Sequence, residues 1–324
     1  MAIFTIITTT YKHENFIAAT IESILAQTFS DWELLIGDDS PDEYTWKIVR
    51  SYSEKYPGKI RAWRHVPNKW IVENTNFLIS QISSDAQYVA FLEGDDMYIP
   101  TNLEKKWNIF QKYPNVALVY SDMNFINADW KVTLEKRIQS NGTWFYQNEI
   151  IPVESYINTK NSLIISYSTV AIRKDALYSF SPIEAFTQSK MYSVSDYDLF
   201  FRIATRYPVY GISDALTLYR RHTWNASSGY NTLFQDLHIL LETYSKRWFI
   251  PEKVYKKKVS WILIMQSIVA LSKWEKMLAL SYCKRAVLQY PFQDWLYRWG
   301  VLMCLILPVK FIQNMLVRKM RTGV

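Results

Sequence analysis

The chain has 324 residues, 49% of them hydrophobic, a net charge of +7 and two cysteines, Cys283 and Cys304. This is ample apolar material for a large domain with an appendage, or for two domains. It leaves too few cysteines for a disulfide framework and no CxxC pair for zinc. The eight glycines never fall within six residues of one another, which excludes a P-loop and a GxGxxG cradle, and no HExxH occurs.

The chain begins with the strand-like Ile3–Ile7 and lacks the basic and apolar regions of a signal peptide, so it is expected to stay in the cytoplasm. Hydrophobic spacing then predicts strand Phe4–Thr8, helix Asn15–Gln27, strand Trp32–Ile36, helix Asp42–Tyr56, strand Ile60–His65 and helix Val72–Ile82. Strand Tyr88–Leu92, helix Thr101–Lys112 and strand Val116–Tyr120 follow. Such alternation implies an α/β fold with a parallel sheet and right-handed crossovers, whose ligands sit at the carboxyl ends of the strands. From Asp122 the loops lengthen and carry scattered aromatics, among them Trp130, Trp144, Phe145 and Tyr146. A strand over Ser162–Ile172 and a helix opening at Ser195-Asp196 come next. Closing strands at Tyr210–Ile212 and Leu216–Tyr219 lead into Arg220-Arg221-His222 and a polar loop with Asn225, Ser227 and Ser228. The expected regions are 1–121, 122–232 and 233–324.

The tail is expected to be helical, with Trp274, Met277, Leu278, Ser281, Tyr282 and Arg285 on one face. Residues 245–324 carry 15 Lys/Arg against 3 Asp/Glu, a net +12, so residues 1–244 sum to −5. Trp295–Ile312 is the most apolar stretch, but Arg298, Pro308 and Lys310 keep it shorter than the roughly 20 residues a bilayer requires. A helix in the headgroup layer of an anionic membrane fits better, with Trp295, Tyr297 and Trp299 at the interface and Arg318, Lys319 and Arg321 reaching phosphates. The competing reading is a helical hairpin packed on protein. Nucleic acid is a poor partner, because the basic residues lie in the apolar tail and no recognition motif is present.

The run Phe91-Leu92-Glu93-Gly94-Asp95-Asp96 fires three acids off the end of a buried strand. Carboxylates so placed repel one another and lose hydration. A divalent cation with oxygen ligands relieves both, and Mg²⁺ or Mn²⁺ with a substrate diphosphate fits best. The alternative is a solvated acidic turn. Polar residues also end the other strands: Thr8, Thr9, Thr10 and Tyr11 after the first, Asp38 and Asp39 after the second.

Taken together, Thr5–Tyr11, Ser23–Phe29, Trp32–Ser40, Phe91–Asp96, Ser195-Asp196 and Tyr219–His222 resemble the family-2 inverting glycosyltransferases with the GT-A fold. The likeness covers roughly residues 3–230. It implies a nucleotide-sugar-binding half over 1–121 and an acceptor-binding half over 122–232, with the basic helical region 233–324 attached. By position it implies that Thr8, Thr9, Tyr11 and Asp39 line the base pocket. Asp95 would lie near the ribose and the metal, and Asp96 would ligate Mn²⁺ or Mg²⁺ on the diphosphate. Many relatives have Asp where this chain has Glu93, and Glu where it has Ser195.

The chemistry implied is attack by an acceptor hydroxyl on the sugar C1 as a diphosphate leaves. The metal neutralises the departing charge, and a carboxylate takes the hydroxyl proton, a role the resemblance gives to Asp196. The competing reading of Asp196 is a helix N-cap. Arg220 and His222 would clamp the diphosphate; Arg221 reads as surface, and His13 and Glu14 as facing solvent. The excess of aromatics, 23 Tyr and 13 Trp, has two readings, sugar-stacking platforms around Trp130–Tyr146 or core. The expected donor is a nucleotide-diphosphate sugar, a UDP-sugar above others, and the acceptor a glycan or lipid-linked oligosaccharide of a bacterial polysaccharide. A sugar nucleotidyltransferase and a non-catalytic glycan-binding protein are the competing functions. The first usually has a Gly-rich basic loop where this chain has Thr8-Thr9-Thr10-Tyr11.

Overall fold

A computed structural model of the chain describes residues 2–135, 148–151, 166–179, 194–222, 234, 236–242, 252–272 and 275–289. The chain divides into two compact units, residues 1–223 and 224–324.

The first unit runs β1 (Phe4–Thr10), α1 (Ile17–Leu25), β2 (Trp32–Asp38), α2 (Tyr44–Lys55), β3 (Ile60–Arg64), α3 (Trp70–Ser80), β4 (Tyr88–Phe91), β5 (Met97–Tyr98) and α4 (Asn102–Lys112). It continues with β6 (Leu118–Ile126), β7 (Val132–Leu134), β8 (Glu149–Ile151), β9 (Val170–Arg173), α5 (Lys174–Tyr178), α6 (Ser195–Ala204) and β10 (Val209–Arg220). One sheet holds the strands in the order β3-β2-β1-β4-β9-β6-β10-β5, with β7 added to β6 and β8 to β10. Every residue of β2 is buried, and nearly every residue of β1, as expected for parallel strands covered on both faces. On α1 the buried Ile17, Thr20, Ile21 and Ile24 recur at helical spacing and turn one stripe to the core. That core joins Phe4, Ile6, Leu34 and Ile36 to Val49, Leu103, Phe110 and Val119.

The parallel order expected from the first half holds through β3, β2, β1 and β4. Beyond β4 the sheet is mixed: β9 lies antiparallel between β4 and β6, while β6 and β10 are parallel. The strand expected at Val116–Tyr120 extends to Ile126. The two expected closing strands are one, because register shifts around Ser213 and Asp214 let β10 continue past a polar interruption. Where a strand was expected from Ser162, Tyr167–Thr169 forms a 3₁₀ turn and only Val170–Arg173 pairs; 162–165 lie outside the described residues.

Parallel register fixes the position of the polar ends. Thr10 is opposite Asp38, and Ile7 is opposite Phe91, so the residues after β1, β2 and β4 leave the sheet together.

In the second unit, α7 (Glu252–Ser272) and α8 (Lys276–Gln289) form a hairpin. Their seam contains Val259, Leu263 and Ala270 against Ala279, Cys283 and Ala286. The Ser260 and Ser267 hydroxyls donate to the Ala286 and Ala279 carbonyls at 3.0 and 2.8 Å. Of the face expected on α8, Tyr282 packs against this seam while Met277 and Leu278 are exposed. The small residues Ala279 and Ala286 won the seam because they let the helix axes approach. Trp274 and the segment Trp295–Ile312 with Arg318, Lys319 and Arg321 lie outside the described residues. Among those described, no helix is long and apolar enough to cross a membrane.

One buried charge works against the core. Lys106 on α4 is fully buried, and its Nζ has no hydrogen-bond partner among the described residues, only the Tyr98 ring at 5.2 Å. Burial lowers its pKa to about 7. Between pH 7 and 10.5 the folded chain therefore binds fewer protons at this site than the unfolded chain, so its contribution to stability rises with pH. Lys106→Met should raise the melting temperature by roughly 5 °C or more at pH 6.5, with the gain shrinking by pH 9.5. Thermal melts of both proteins across that range check it, and a pH-independent or negative shift contradicts it.

Candidate active site

The acidic run begins where the ladder of β4 ends. Leu92 N donates to Ile7 O and Gly94 N to Thr9 O, both at 3.0 Å, after which Asp96 N closes a turn on Glu93 O at 3.0 Å. The Thr20 hydroxyl of α1 lies 3.1 and 2.8 Å from the Gly94 and Asp96 carbonyls. Gly94 is required by space: a Cβ there would lie 2.7 Å from Thr10 Oγ1 and 2.9 Å from His13 Nδ1. The turn therefore sits directly on the end of β1.

Glu93, Asp95 and Asp96 each bring one carboxylate oxygen within 4.8 Å of the others. Burial first, then Asp95 and Asp196, push Glu93 up to about 8. Burial, then Asp95 and Glu93, push Asp96 well above the usual carboxylate range, against a smaller pull from the Ser168 hydroxyl and the Arg220 amide. Burial also pushes Asp95 upward, but the hydrogen bond from His222 and the neighbouring imidazoles outweigh it and leave Asp95 below its ordinary value. The trio divides into one stabilised anion and two groups that resist ionisation. A divalent cation reverses that logic.

Arg220 and His222 brace the turn from the end of β10. Arg220 is fully buried; its amide donates to Asp96 Oδ1 at 2.8 Å, its Nε to Asp95 O at 2.9 Å and a terminal nitrogen to Asn127 O at 3.0 Å. The guanidinium lies between Phe16 and Trp130, 4.7 and 3.9 Å from their ring centroids. His222 Nε2 is 2.9 Å from Asp95 Oδ2. Arg221 is exposed, over Phe125, in keeping with its surface reading.

His13 departs from expectation. It turns inward, with Nε2 4.0 Å from Asp95 Oδ2, and His13, Asp95 and His222 form a second convergent group of possible ligands. Burial lowers the His13 pKa. The sequence signal available was its distance from the strand: three residues past β1 the chain is still turning across the sheet's edge. Lys12 there adopts φ +55 and donates its amide to Ser40 Oγ at 2.8 Å.

On the other side, Asp39 is buried, donates its amide to Thr10 O and accepts from Lys69 N, each at 3.0 Å. The buried Thr8 hydroxyl has no partner among the described residues. Thr9 is partly buried beside it, and Tyr11 is exposed with Lys12 over its ring.

Asp196 lies in the first turn of α6, yet Val194 occupies the cap position, and Asp196 accepts from Tyr197 N at 2.7 Å. Burial raises its pKa to about 6. It lies close enough to Glu93 to raise that group too, which puts it within electrostatic reach of the acidic turn. Asp198, two residues on, pairs with Arg202 at 2.8 Å. Tyr167 and Ser168 were not anticipated: Ser168 Oγ accepts from Glu93 N at 3.0 Å, and Tyr167 packs on Phe91. The loop with Asn225, Ser227 and Ser228, and Trp144, Phe145 and Tyr146, lie outside the described residues.

The sequence profile described as "Glycosyl transferase family 2" matches residues 5–179, just over half of the chain. The chain belongs to that family. Similar proteins include the putative glycosyltransferase EpsE of Bacillus subtilis, 32% identical over 113 residues, which are 35% of this chain and 40% of EpsE. The Escherichia coli protein WfgD, named UDP-Glc:alpha-D-GlcNAc-diphosphoundecaprenol beta-1,3-glucosyltransferase, is 29% identical over 42% of this chain and 55% of its own. The chain thus spans only part of these relatives' length. Among solved structures, S. aureus TarS 1–349 in complex with UDP-GlcNAc superposes with a TM-score of 0.57 at 14% identity, over 93% of this chain and 92% of that one. The mannosyltransferase PcManGT of Pyrobaculum calidifontis, in complex with GDP-Man and Mn²⁺, gives 0.57 at 12% identity over 99% and 86%. These place the family-2 chain in the GT-A fold.

Gly94→Ala should lower the melting temperature by roughly 3–10 °C, because the added methyl has only Thr10 and His13 to displace. An unchanged melting curve would show that the turn is not seated on β1 as described.

Proposed function

We propose that this chain is a metal-dependent inverting glycosyltransferase. It would move one sugar from a nucleotide-diphosphate donor, a UDP-sugar, to a hydroxyl of a glycan or lipid-linked oligosaccharide in bacterial surface-polysaccharide synthesis. The observation that carries the reading is the convergence of Glu93, Asp95 and Asp96 at one strand end, with Asp196 in electrostatic reach. Family membership supports it, as do the UDP-GlcNAc, UDP and GDP-Man complexes of the structural neighbours. The undecaprenol-linked substrate in WfgD's name and the name of B. subtilis GgaA, "Minor teichoic acid biosynthesis protein", support the acceptor class.

The donor set suits a metal. Oδ2 of Asp96 is buried outside hydrogen-bonding geometry with any described residue, beside two further carboxylates. Asp96 and Asp95 would hold Mn²⁺ or Mg²⁺, which would supply Lewis-acid neutralisation of the diphosphate charge.

The chain's own residues do the rest. Asp39, with Thr8, Thr9 and Tyr11, receives the nucleoside at the ends of β1 and β2. Arg220 spends its donors on the Asp95 and Asn127 carbonyls, so it is read as a positioning residue for the acids rather than a clamp on the phosphates. His222 orients Asp95. Asp196 takes the proton from the acceptor hydroxyl, and its partial desolvation makes it a better base than a free carboxylate. The basic tail is assigned to an anionic membrane surface on the cytoplasmic side, where a lipid-linked acceptor would be met.

Four measurements test this. UDP with Mn²⁺ should raise the melting temperature of the wild type and not of Asp96→Ala; no shift in the wild type removes the nucleotide-sugar reading, and a shift with UTP alone favours a nucleotidyltransferase. Asp196→Asn should lose roughly 10²–10⁴-fold in kcat while keeping that UDP–Mn²⁺ shift. Because the base works deprotonated, wild-type log kcat should climb with unit slope to about pH 6 and then level off. Near-normal turnover of the Asn variant retires Asp196. For the tail, flotation with anionic liposomes should be lost in a chain ending near residue 250, and equal flotation of both removes the membrane assignment.

A further inference from the structure

Trp130 holds an unfavourable backbone in an exposed place. Its φ is +67, in the left-handed region, which costs a bulky residue on the order of 1–3 kcal/mol, and its side chain remains 45% exposed. Neither local propensity nor burial accounts for a tryptophan there.

The turn that presents it is firmly built. Asn127 Oδ1 accepts from the Asp129 and Lys131 amides at 3.0 and 2.9 Å, and Asn127 O accepts from Trp130 N at 3.1 Å. The ring has the Arg220 guanidinium carbon 3.9 Å from its centroid, and the same guanidinium donates to Asp95 O at 2.9 Å. An exposed aromatic ring therefore stands one guanidinium away from the acidic turn, held against a cation that is itself wholly buried.

Its place in the sheet is informative. Trp130 follows β6, and the strand order runs β3-β2-β1-β4-β9-β6-β10. Asp39 and Tyr11 lie after β2 and β1, and Asp95 after β4, so Trp130 lies on the side of Asp95 away from the nucleoside positions. Beyond the diphosphate on that side only sugar remains. The C–H face of a pyranose carries partial positive charge and apolar area, both of which suit the negative face of an indole.

We propose that Trp130 is a pyranose-binding platform on the sugar side of the acidic turn, its ring held in place by Arg220. The inference rests on the glycosyltransferase reading and extends it to a subsite. The sugar bound is either the one carried by the donor or the terminal residue of the acceptor.

The test is saturation-transfer NMR on the full chain with UDP and Mn²⁺ present, using methyl β-D-glucopyranoside and methyl 2-acetamido-2-deoxy-β-D-glucopyranoside as probes. Wild type and Trp130→Phe should transfer saturation to a pyranoside, and Trp130→Ala should lose it at least fivefold. Equal transfer to Trp130→Ala, or none to the wild type, overturns the platform. The melting curve and UDP–Mn²⁺ shift of each variant are recorded alongside; Trp130→Ala should keep a cooperative melt and the wild-type UDP–Mn²⁺ shift, showing that fold and nucleotide site stand. Their absence in the wild type would instead defeat the glycosyltransferase reading. The affinity of UDP-glucose relative to UDP separates the sources: Trp130→Ala lowers it at least fivefold if the donor sugar is bound and leaves it unchanged if the acceptor is.

Discussion

Three carboxyl groups converge within 4.8 Å of one another, largely out of water, and burial keeps Glu93 and Asp96 from ionising beside the Asp95 anion. The turn that carries them is fixed from several sides. Gly94 is wedged against Thr10, the Thr20 hydroxyl holds two of its carbonyls, and Arg220 secures Asp96 through its amide and Asp95 through its guanidinium. The end of β1, the start of α1 and the end of β10 all contribute to keeping these buried acids together. An arrangement this costly persists only where surrounding structure over-determines it.

The same constraint links the two halves of the sheet. Arg220 closes β10, a strand paired in parallel with β6, and its guanidinium reaches both the turn after β4 and the turn after β6. A change at either turn is therefore felt at the other through one buried side chain. Asp196 approaches from α6 and shares its electrostatic field with Glu93. Burial dominates the protonation of Glu93, Asp96 and Asp196, whereas His222 and His13 hold Asp95 below its ordinary value.

Much of the fold was legible because strand and helix periodicities in residues 4–120 are local. Phe4–Thr10, Trp32–Asp38 and Tyr88–Phe91 fell within a few residues of their expected bounds. The mixed half was less legible. β9 is four residues long and antiparallel, and the continuity of β10 depends on register shifts that no local pattern announces. On α8 the apolar count favoured Met277 and Leu278, whereas close helix approach favoured Ala279 and Ala286.

In the site, sequence order alone marked the acids and Asp39, since charged residues directly after a buried strand are visible without coordinates; Asp196, Arg220 and His222 took their roles from the resemblance to family 2. What tertiary structure decided was orientation. His13 turns toward Asp95, Arg220 points into the protein at backbone carbonyls, and Trp130 stands exposed above it. Those outcomes depend on groups 80 to more than 120 residues apart in the chain, and a one-dimensional pattern holds no record of which of them come to share a few ångströms of space.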